Sequence, residues 1–340
     1  MTTVPEQRIL ITGGAGFLGS HFVRSWLAGD RGPLLNLDLL TYAGSEVRLT
    51  DVANHPGYRF QQVDVADREV VRDATETFRP TLVAHFAAES HVTRSERDPE
   101  RFHRTNVEGT RVLLEAAAAT GVRRFAHIST DEVYGPILEG AFREEEKEPG
   151  EGRATSPYAR SKAIADDLAR EFRGEMEVVV IRPTNAFGPW QYPEKAFPRW
   201  VIRGLGGLEI PVWGDGGYVR QWLPAADLAR AVTLILETDA PEPAYNVGPR
   251  HEPEITNADL ARWLCRHLGL PEDRVTFTAY DRPDHDRRYA VDPARMEALG
   301  WTCGDPWERF AETVTWYADH EAWWRPLVEE AESIYQDVGR

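Results

Sequence analysis

The feature that most constrains the fold of this chain is a glycine-rich turn between an apolar run and an amphipathic segment. The run covers residues 9–11, the turn contains Gly13, Gly16 and Gly19, and the amphipathic segment starts at Phe17. Gly13 permits a tight turn, Gly16 has no side chain to block a pyrophosphate, and Gly19 lets a helix lie close to the strand. The first helical turn offers free N–H groups and the positive end of its dipole to a phosphate. The stretch therefore predicts a strand, a turn and a helix that bind a dinucleotide.

An acidic residue about 20 residues further on completes this pattern. Asp38 ends the apolar run at 34–37, where a carboxylate can accept both hydroxyls of an adenosine ribose. It would also repel a 2′-phosphate, so we expect NAD rather than NADP as the cofactor. The alternative is a glycine-rich turn without a ligand, which the neighbouring strand, helix and Asp38 make the less favoured interpretation.

The composition narrows the classes of partner. The 340-residue chain has a formal net charge of −16, with 55 acidic and 39 basic residues. Because an acidic surface repels phosphates, we expect neither nucleic acid nor an anionic membrane as a partner. The cysteines, Cys265 and Cys303, lack metal-ligand spacing, so neither a disulfide framework nor a metal site is predicted. Residues 1–7 are too few and too polar for a signal peptide, and no apolar run reaches membrane length, so we predict a cytoplasmic protein.

Apolar runs alternate with helical patterns through the first half of the chain. We predict strands at 34–37, 58–63, 81–88, 124–129 and 177–181, and helices between them at 66–78 and 102–120. This alternation predicts an α/β fold with a doubly wound parallel (Rossmann) sheet and a smaller C-terminal α/β substrate lobe. We place the NAD-binding domain at 1–185 and the lobe at 186–340, interleaved rather than independent. The charged segment 139–152 is expected to be a solvated loop.

Ligands of such a sheet bind at the carboxyl ends of its strands, so the residues there are candidate cofactor contacts. Asp64, for example, follows the strand at 58–63, where its carboxylate could meet an adenine amino group. We expect NAD to be contacted by Gly13, Gly16, Phe17, Leu18, Gly19, Asp38, Thr41, Asp64, Val65, Ala87, Ala88, Ser90, Thr105, Tyr158 and Lys162.

Tyr158 and Lys162 are the first candidate catalytic pair. They lie four residues apart on a helix that starts at Pro157, and therefore on one face. A tyrosine with its usual pKa near 10 is a poor base at neutral pH. We expect the lysine ammonium, together with the positive nicotinamide, to lower the pKa of Tyr158, which could then take the proton of an alcohol while hydride leaves. Such a pair also occurs by chance on surfaces, and the hydroxyl of Thr130 at a neighbouring strand end favours the catalytic interpretation.

Asp131 and Glu132 follow Thr130 at the same strand end. Oxidation of an alcohol needs no further carboxylates, whereas an elimination needs both an acid and a base. The sequence therefore predicts an elimination coupled to the oxidation. A pair that merely caps a helix or turns a loop remains the alternative at this point.

At these residues the sequence resembles the extended short-chain dehydrogenase/reductase superfamily and, within it, the dTDP-glucose 4,6-dehydratases. The resemblance runs through nearly the whole chain, and the segments around 129–135 and 281–289 are more specific to the dehydratases than the glycine-rich turn. It is carried by the segments 12–22, 40–44, 87–92, 129–135, 156–158, 193–195, 281–283 and 285–289.

The resemblance implies a cycle that is redox-neutral overall. Tyr158 takes the 4-hydroxyl proton with Thr130 hydrogen bonded at O4, Glu132 removes the C5 proton, and Asp131 protonates the departing 6-hydroxyl. The C4 hydride passes to NAD and returns to C6, which turns dTDP-glucose, the favoured substrate, into a 4-keto-6-deoxy sugar nucleotide. Residues 186–340 are then the sugar-nucleotide-binding lobe, and relatives imply a homodimer through helices near 102–120 and 157–172. The implied substrate contacts are Ser90, Thr130, Asn185, Lys195, Pro211, Trp213, Arg220, Asn257, Arg282 and His285.

The sequence departs from the family pattern at Thr93, Ala186, Gln221 and Asp284, which leaves the sugar and base open. A 4-epimerase or decarboxylase of sugar nucleotides is the nearest alternative, because it would use Tyr158 and Lys162 but not both acids. A protein that senses NAD without catalysis is a further one, although such a protein has no use for a base.

Overall fold

The computed structural model describes residues 7–279 and 287–335. In chain order its strands are β1 Ile9–Thr12, β2 Leu34–Asp38, β3 Tyr58–Gln62, β4 Leu82–His85, β5 Arg124–Ile128, β6 Glu177–Pro183, β7 Asn185–Phe187, β8 Ile210–Trp213, β9 Trp222–Pro224, β10 Ala244–Val247 and β11 Val275–Thr278. A seven-stranded parallel sheet forms the centre, in the order β10, β6, β5, β4, β1, β2, β3. The predicted doubly wound parallel sheet is confirmed.

The helices surround this sheet. In chain order they are α1 Phe17–Ala28, α2 Arg68–Phe78, α3 Val92–Arg97, α4 Pro99–His103, α5 Gly109–Ala119, α6 Pro157–Glu171, α7 Ala196–Leu205, α8 Ala225–Glu237, α9 Asn257–His267, α10 Ala294–Ala298, α11 Pro306–Asp319, α12 Glu321–Trp324 and α13 Val328–Ser333. Short 3-10 helices lie at Glu46–Leu49, Asp131–Tyr134, Glu144–Glu146, Glu272–Arg274 and Arg325–Leu327, and a π-helical turn at Arg104–Glu108. Within the described ranges, no helix is both long and apolar enough to cross a membrane.

Strand β1 shows why the sheet is covered on both faces. Ile9 and Ile11 point into a core that α1 and α8 share, while Leu10 points into a second core formed with α2 and α5. All of these side chains are fully buried. A strand buried on both faces gives the continuous apolar run that was visible in the sequence.

Two predicted element bounds are wrong. The helix predicted at 102–120 begins earlier, at Pro99, because the carboxylate of Asp98 accepts a hydrogen bond from the Arg101 N–H at 3.2 Å and caps it. The π-helical turn then separates α4 from α5. The strand predicted at 81–88 ends at His85, because Ala87 leaves the sheet and its N–H donates to the Thr12 hydroxyl at 3.3 Å.

The chain beyond residue 185 builds a second core and also returns to the sheet. β7 pairs with β9 and β8 with β11, and α7, α9 and α11 pack around an apolar core that includes Phe187, Phe197 and Phe310. By contrast, β10 is the edge strand beside β6, and α8 packs on α1. The chain thus crosses between the two parts more than once, and the boundary at residue 185 stays a prediction.

The segment 139–152 is not simply a solvated loop, so that interpretation is wrong in part. Glu144 is buried, and its carboxylate accepts a hydrogen bond from the Asn246 N–H at 2.9 Å. The Lys147 ammonium is also buried and pairs with the Asp167 carboxylate at 2.7 Å. Charged side chains tolerate burial when each one has a partner, and the sequence does not show which partner a folded chain provides.

Candidate active site

The residues predicted at strand ends meet in one cleft at the carboxyl edge of the parallel sheet. This cleft is lined by the predicted catalytic residues Thr130, Asp131, Glu132, Tyr158 and Lys162. It is also lined by the predicted cofactor contacts Gly13, Gly16, Phe17, Leu18, Gly19, Asp38, Thr41, Asp64, Val65, Ala87, Ala88, Ser90 and Thr105.

The glycine-rich turn has the geometry that a dinucleotide requires. Gly13 has a φ of 73°, and a Cβ there would lie 2.6 Å from the Ala87 nitrogen, so no larger residue fits. A Cβ on Gly19 would lie 2.2 Å from the Gly13 carbonyl oxygen, which shows that helix and turn touch. Gly16 precedes α1 as its N-cap and provides no capping side chain, and no acid lies in the first helical turn. The N–H groups of that turn are therefore available to a pyrophosphate.

Asp38 is held in place by the backbone at the end of β2. One carboxylate oxygen accepts from the Ala15 N–H at 2.9 Å and the other from the Leu40 N–H at 2.8 Å. Burial raises the pKa of Asp38, while these N–H groups and the charge of Arg48 act in the opposite direction. A fixed carboxylate beside the glycine-rich turn fits the ribose of NAD, so the residues present fit this cofactor.

Thr130 links the two acids to the tyrosine. It is the N-cap of the 3-10 helix Asp131–Tyr134, and its hydroxyl accepts from the Glu132 N–H at 3.3 Å and donates to the Asp131 carboxylate at 3.2 Å. The side chain of Tyr158 is hydrogen bonded to the same hydroxyl. The second carboxylate oxygen of Asp131 is buried and has no hydrogen-bond partner within the described ranges. Burial raises the pKa of Asp131 to about 6, with the Arg220 charge opposing it.

Lys162 is not among the groups that shift the pKa of Tyr158 in this structure, and its expected effect together with the nicotinamide stays a prediction. Burial, and after it the negative charge of Glu132, raises the pKa of Tyr158 above its usual value, with Thr130 opposing. The Lys162 ammonium donates instead to the Ile128 carbonyl at 2.7 Å, and burial lowers its pKa to about 8. Spacing on a helix places two side chains on one face, but it does not determine where a long side chain ends.

Of the predicted substrate contacts, Ser90, Thr130, Asn185 and Lys195 line the cleft. Lys195 donates to the Ser90 carbonyl at 3.2 Å; burial lowers the pKa of its ammonium, while the charges of Glu194 and Glu132 oppose that effect. The side-chain oxygen of Asn185 is buried and, within residues 7–279 and 287–335, has no hydrogen-bond partner. A ligand that donates hydrogen bonds, or a water, would satisfy it.

The other predicted substrate contacts are not among the residues that line this cleft. Arg220 lies over the Tyr289 ring at 4.7 Å and its charge reaches Asp131, so it is near the acid pair. Asn257 begins α9, and Pro211 and Trp213 are in β8. Arg282 and His285, together with the variant position Asp284, lie outside the described residues.

The other departures from the family pattern differ in position. Ala186 lines the cleft, and its carbonyl accepts from the Gln191 amide at 3.0 Å. Gln221 instead holds two backbone segments together, since its amide bonds the Pro249 carbonyl and both the N–H and the carbonyl of Val291. Thr93 is buried in α3.

Sequence reasoning missed several residues of the cleft, among them Arg48 and Glu194, whereas Tyr42 belongs to the segment 40–44 that carries the resemblance. The Glu194 carboxylate is buried and accepts from the Tyr42 hydroxyl at 2.8 Å and from Arg94 at 3.3 Å. The Arg94 guanidinium also lies 3.7 Å from the centre of the Tyr42 ring. The sequence signal for Glu194 was its neighbour Lys195, because both belong to the segment 193–195 that carries the resemblance. The described part of the chain contains no cluster of His, Cys, Asp and Glu placed to bind a metal.

The fold and the cleft together are those of the extended short-chain dehydrogenase/reductase superfamily. Residues 9–248 match the NAD dependent epimerase/dehydratase family, and the chain belongs to that family. The chain is 42% identical over 348 residues to a dTDP-glucose 4,6-dehydratase of Streptomyces niveus, with 98% of this chain and 100% of that protein covered.

Two solved structures show the same fold. DesIV, a dTDP-glucose 4,6-dehydratase from Streptomyces venezuelae with NAD and dTDP bound, superposes with a TM-score of 0.88 at 39% identity over 94% of this chain and 100% of that one. The UDP-glucose 4-epimerase of Thermus thermophilus, in complex with NAD, gives a TM-score of 0.81 at 30% identity over 92% of this chain and 100% of that one. The fold alone therefore does not separate a dehydratase from an epimerase.

Proposed function

We propose that this protein is an NAD-dependent nucleotide-sugar 4,6-dehydratase that converts dTDP-glucose to dTDP-4-keto-6-deoxyglucose. The observation that carries the proposal is the position of Asp131 and Glu132 in the cleft that also contains Tyr158 and Lys162. Reversible oxidation of a sugar hydroxyl needs one base, as in a 4-epimerase. Removal of water across C5 and C6 needs a further base and an acid, and the end of β5 supplies both.

The chain first prepares the 4-hydroxyl for oxidation. Tyr158 takes the hydroxyl proton, and Thr130, which is hydrogen bonded to Tyr158, holds O4. Because burial and Glu132 keep the pKa of this phenol high, Tyr158 starts neutral and gives up its proton only when positive charge enters the cleft. Bound NAD would supply that charge and the redox chemistry, as the acceptor of the C4 hydride and its donor to C6.

The paired acids then carry out the elimination. The 4-keto group acidifies the C5 proton, which Glu132 removes and returns to C5 once the hydride has reached C6. Asp131 donates its proton to the departing 6-hydroxyl, so that the oxygen leaves as water. Asp131 suits the acid role because burial raises its pKa to about 6, close to neutral pH. Asn185 and Lys195 bind the nucleotide diphosphate at the edge of the cleft.

The pH dependence of the rate follows from Asp131. A carboxyl group is protonated below its pKa, so the fraction able to donate a proton falls as the pH rises through about 6. We expect the elimination rate to fall over the same range, and Asp131→Asn to lower the rate about 100-fold and to remove this limb of the profile. Initial rates of elimination, measured from about pH 5 to about pH 8 for the wild type and for Asp131→Asn, give the two pH profiles. Asp239→Asn, at an exposed position, is the control. A limb that persists in Asp131→Asn would assign the titration to another group.

The substrate is tested by mass spectrometry of the purified protein with dTDP-glucose, UDP-glucose and GDP-glucose in parallel. Loss of one water from the dTDP sugar alone supports the proposal. Loss of water from another nucleotide sugar keeps the reaction and assigns the change of substrate to Thr93, Gln221 or Asp284. An isomeric product of unchanged mass indicates a 4-epimerase, and no product with any sugar contradicts the enzymatic proposal.

Two further expectations stay predictions. We expect a homodimer through α5 and α6, which sedimentation at defined protein concentrations tests. We also expect the enzyme in the cytoplasm, which fractionation of cells that express the full chain tests.

A further inference from the structure

Arg48 is a buried cation at the edge of the cofactor cleft, and the reaction described above does not use it. It lies in the 3-10 helix Glu46–Leu49 and is only 1% exposed. Within the ranges 7–279 and 287–335, it forms no salt bridge. Burial lowers the pKa of its guanidinium to about 10, so it remains charged at neutral pH. A buried, unpaired charge is costly, and its position therefore calls for a function.

Among the described residues, the hydrogen bonds of the Arg48 side chain all go to backbone carbonyls on three separate segments. Nη1 donates to the Ala15 carbonyl of the glycine-rich turn at 3.2 Å and to the Ala43 carbonyl of the next loop at 2.7 Å. Nε donates to the Trp190 carbonyl at 3.1 Å. The guanidinium also lies 5.4 Å from the centre of the Trp323 ring. One side chain thus connects the cofactor turn to the C-terminal part of the chain.

Each of the three contacts bears on the cofactor cleft. The Ala15 N–H donates to the Asp38 carboxylate at 2.9 Å, and the Ala15 carbonyl accepts from Arg48. Asp38 and Arg48 therefore hold both backbone groups of Ala15 in place. Ala43 itself lines the cleft. Trp190 has a φ of 69°, which a residue other than glycine rarely adopts, so its carbonyl needs a partner that holds it in this conformation.

We propose that Arg48 is a positioning residue for the dinucleotide, which fixes the glycine-rich turn and the following loop against the C-terminal lobe in the arrangement that binds NAD. The inference rests on the proposed function, in that the cleft binds NAD. The N-terminus of a helix binds a phosphate only when its N–H groups are correctly placed. A glycine-rich turn that is free to shift therefore binds the dinucleotide less tightly. The Arg48 charge also favours the carboxylate form of Asp38, because it acts to lower the pKa of that group.

The test compares NAD affinity and kinetics in Arg48→Lys, Arg48→Met and a matched control. Lysine keeps the charge but cannot reach all the carbonyls at once, so we expect about tenfold weaker binding, and up to about 100-fold in Arg48→Met. In steady state, the loss should fall on the KM for NAD more than on kcat. Arg31→Met is the control, because Arg31 pairs with Glu237 and is not among the residues that line the cleft.

Calorimetric titration with NAD and thermal unfolding are the measurements. If Arg48→Met does not fold, the NAD affinity of Arg48→Lys alone decides between the outcomes. Weaker binding in the Arg48 variants with wild-type affinity in Arg31→Met supports the inference. Equal affinity in all four proteins, or equal weakening in Arg31→Met, overturns it. If the wild-type chain itself does not bind NAD, the proposed function fails and the inference fails with it.

Discussion

Replacing Glu132 by glutamine is expected to lower the rate of water elimination about 10²- to 10⁴-fold while the first oxidation still proceeds. The amide has nearly the same shape as the carboxylate but cannot accept the C5 proton. The backbone contact that orients this residue, from its N–H to the Thr130 hydroxyl, is unchanged by the substitution. With dTDP-glucose present, the reaction should therefore stop after hydride transfer. The reduced nicotinamide then accumulates, and its near-ultraviolet absorbance measures the effect.

Two further variants make this result specific. Glu175→Gln changes an exposed carboxylate and should behave as the wild type. Tyr158→Phe removes the base for the 4-hydroxyl, so it should show neither product nor reduced nicotinamide. Wild-type turnover in Glu132→Gln contradicts the assigned role. A Glu132→Gln variant that binds NAD and sugar without reducing the cofactor would place Glu132 in the oxidation step instead.

Replacing Arg182 by methionine is expected to lower the free energy of unfolding by about 3–5 kcal/mol. Arg182 and Asp166 are completely buried, and the guanidinium binds the carboxylate through two hydrogen bonds of 2.8 Å. The variant would leave the Asp166 charge buried with the Ser129 hydroxyl, at 2.8 Å, as its remaining neutral partner. Urea unfolding followed by circular dichroism measures the loss.

Two control variants separate the stability effect of breaking the buried pair from the effect of losing any arginine. The pair Arg31–Glu237 has a contact of similar length, 2.7 Å, but is partly exposed, so Arg31→Met should cost less than about 1 kcal/mol. Asp166→Asn combined with Arg182→Met removes both charges and should recover about 2 kcal/mol relative to Arg182→Met alone. Equal losses in Arg31→Met and Arg182→Met would contradict this account.

The same pair gives a pH dependence of stability with a defined sign. Burial is the largest effect and opposes ionisation of Asp166, but the charge and hydrogen bonds of Arg182, with smaller contributions from Lys147 and Ser129, together outweigh it and lower the pKa of this carboxyl. The folded-state pKa then lies below the unfolded value near 3.9, so the pair stabilises the protein above about pH 4. That contribution is lost as the pH falls through the folded-state pKa. It should be absent from the pH profile of the double variant.

The layout of the fold could be predicted from the sequence because it depends on local pattern. Strand β1 is buried at all four positions and apolar at the first three, and the glycines after it are required by contacts as close as 2.2 Å. Parallel strands end at one edge of a sheet, so the order of polar segments along the chain already predicted one cleft. The bounds that were wrong depend on single hydrogen bonds, such as the Asp98 cap of α4.

The contacts of charged side chains could not be predicted in this way. Arg48 and Lys147 occur in stretches that look like solvated loops, yet both are buried with partners far away in the sequence. Arg182 is in β6 and Asp166 is in α6, and their separation along the sequence does not predict that they pair. The pKa of Tyr158 is likewise set by burial and by Glu132 rather than by the lysine one helical turn away. Such effects appear only when the tertiary structure brings distant residues together.

The most direct test of the central claim follows one hydrogen through the reaction. The purified protein is incubated with NAD and dTDP-glucose that carries deuterium at C4, and the product is analysed by mass spectrometry and NMR. We expect a product that has lost one water and carries the deuterium at C6, because the same hydride leaves C4 and returns within one cycle. A product of unchanged composition with deuterium still at C4 would contradict the 4,6-dehydratase assignment and indicate an epimerase.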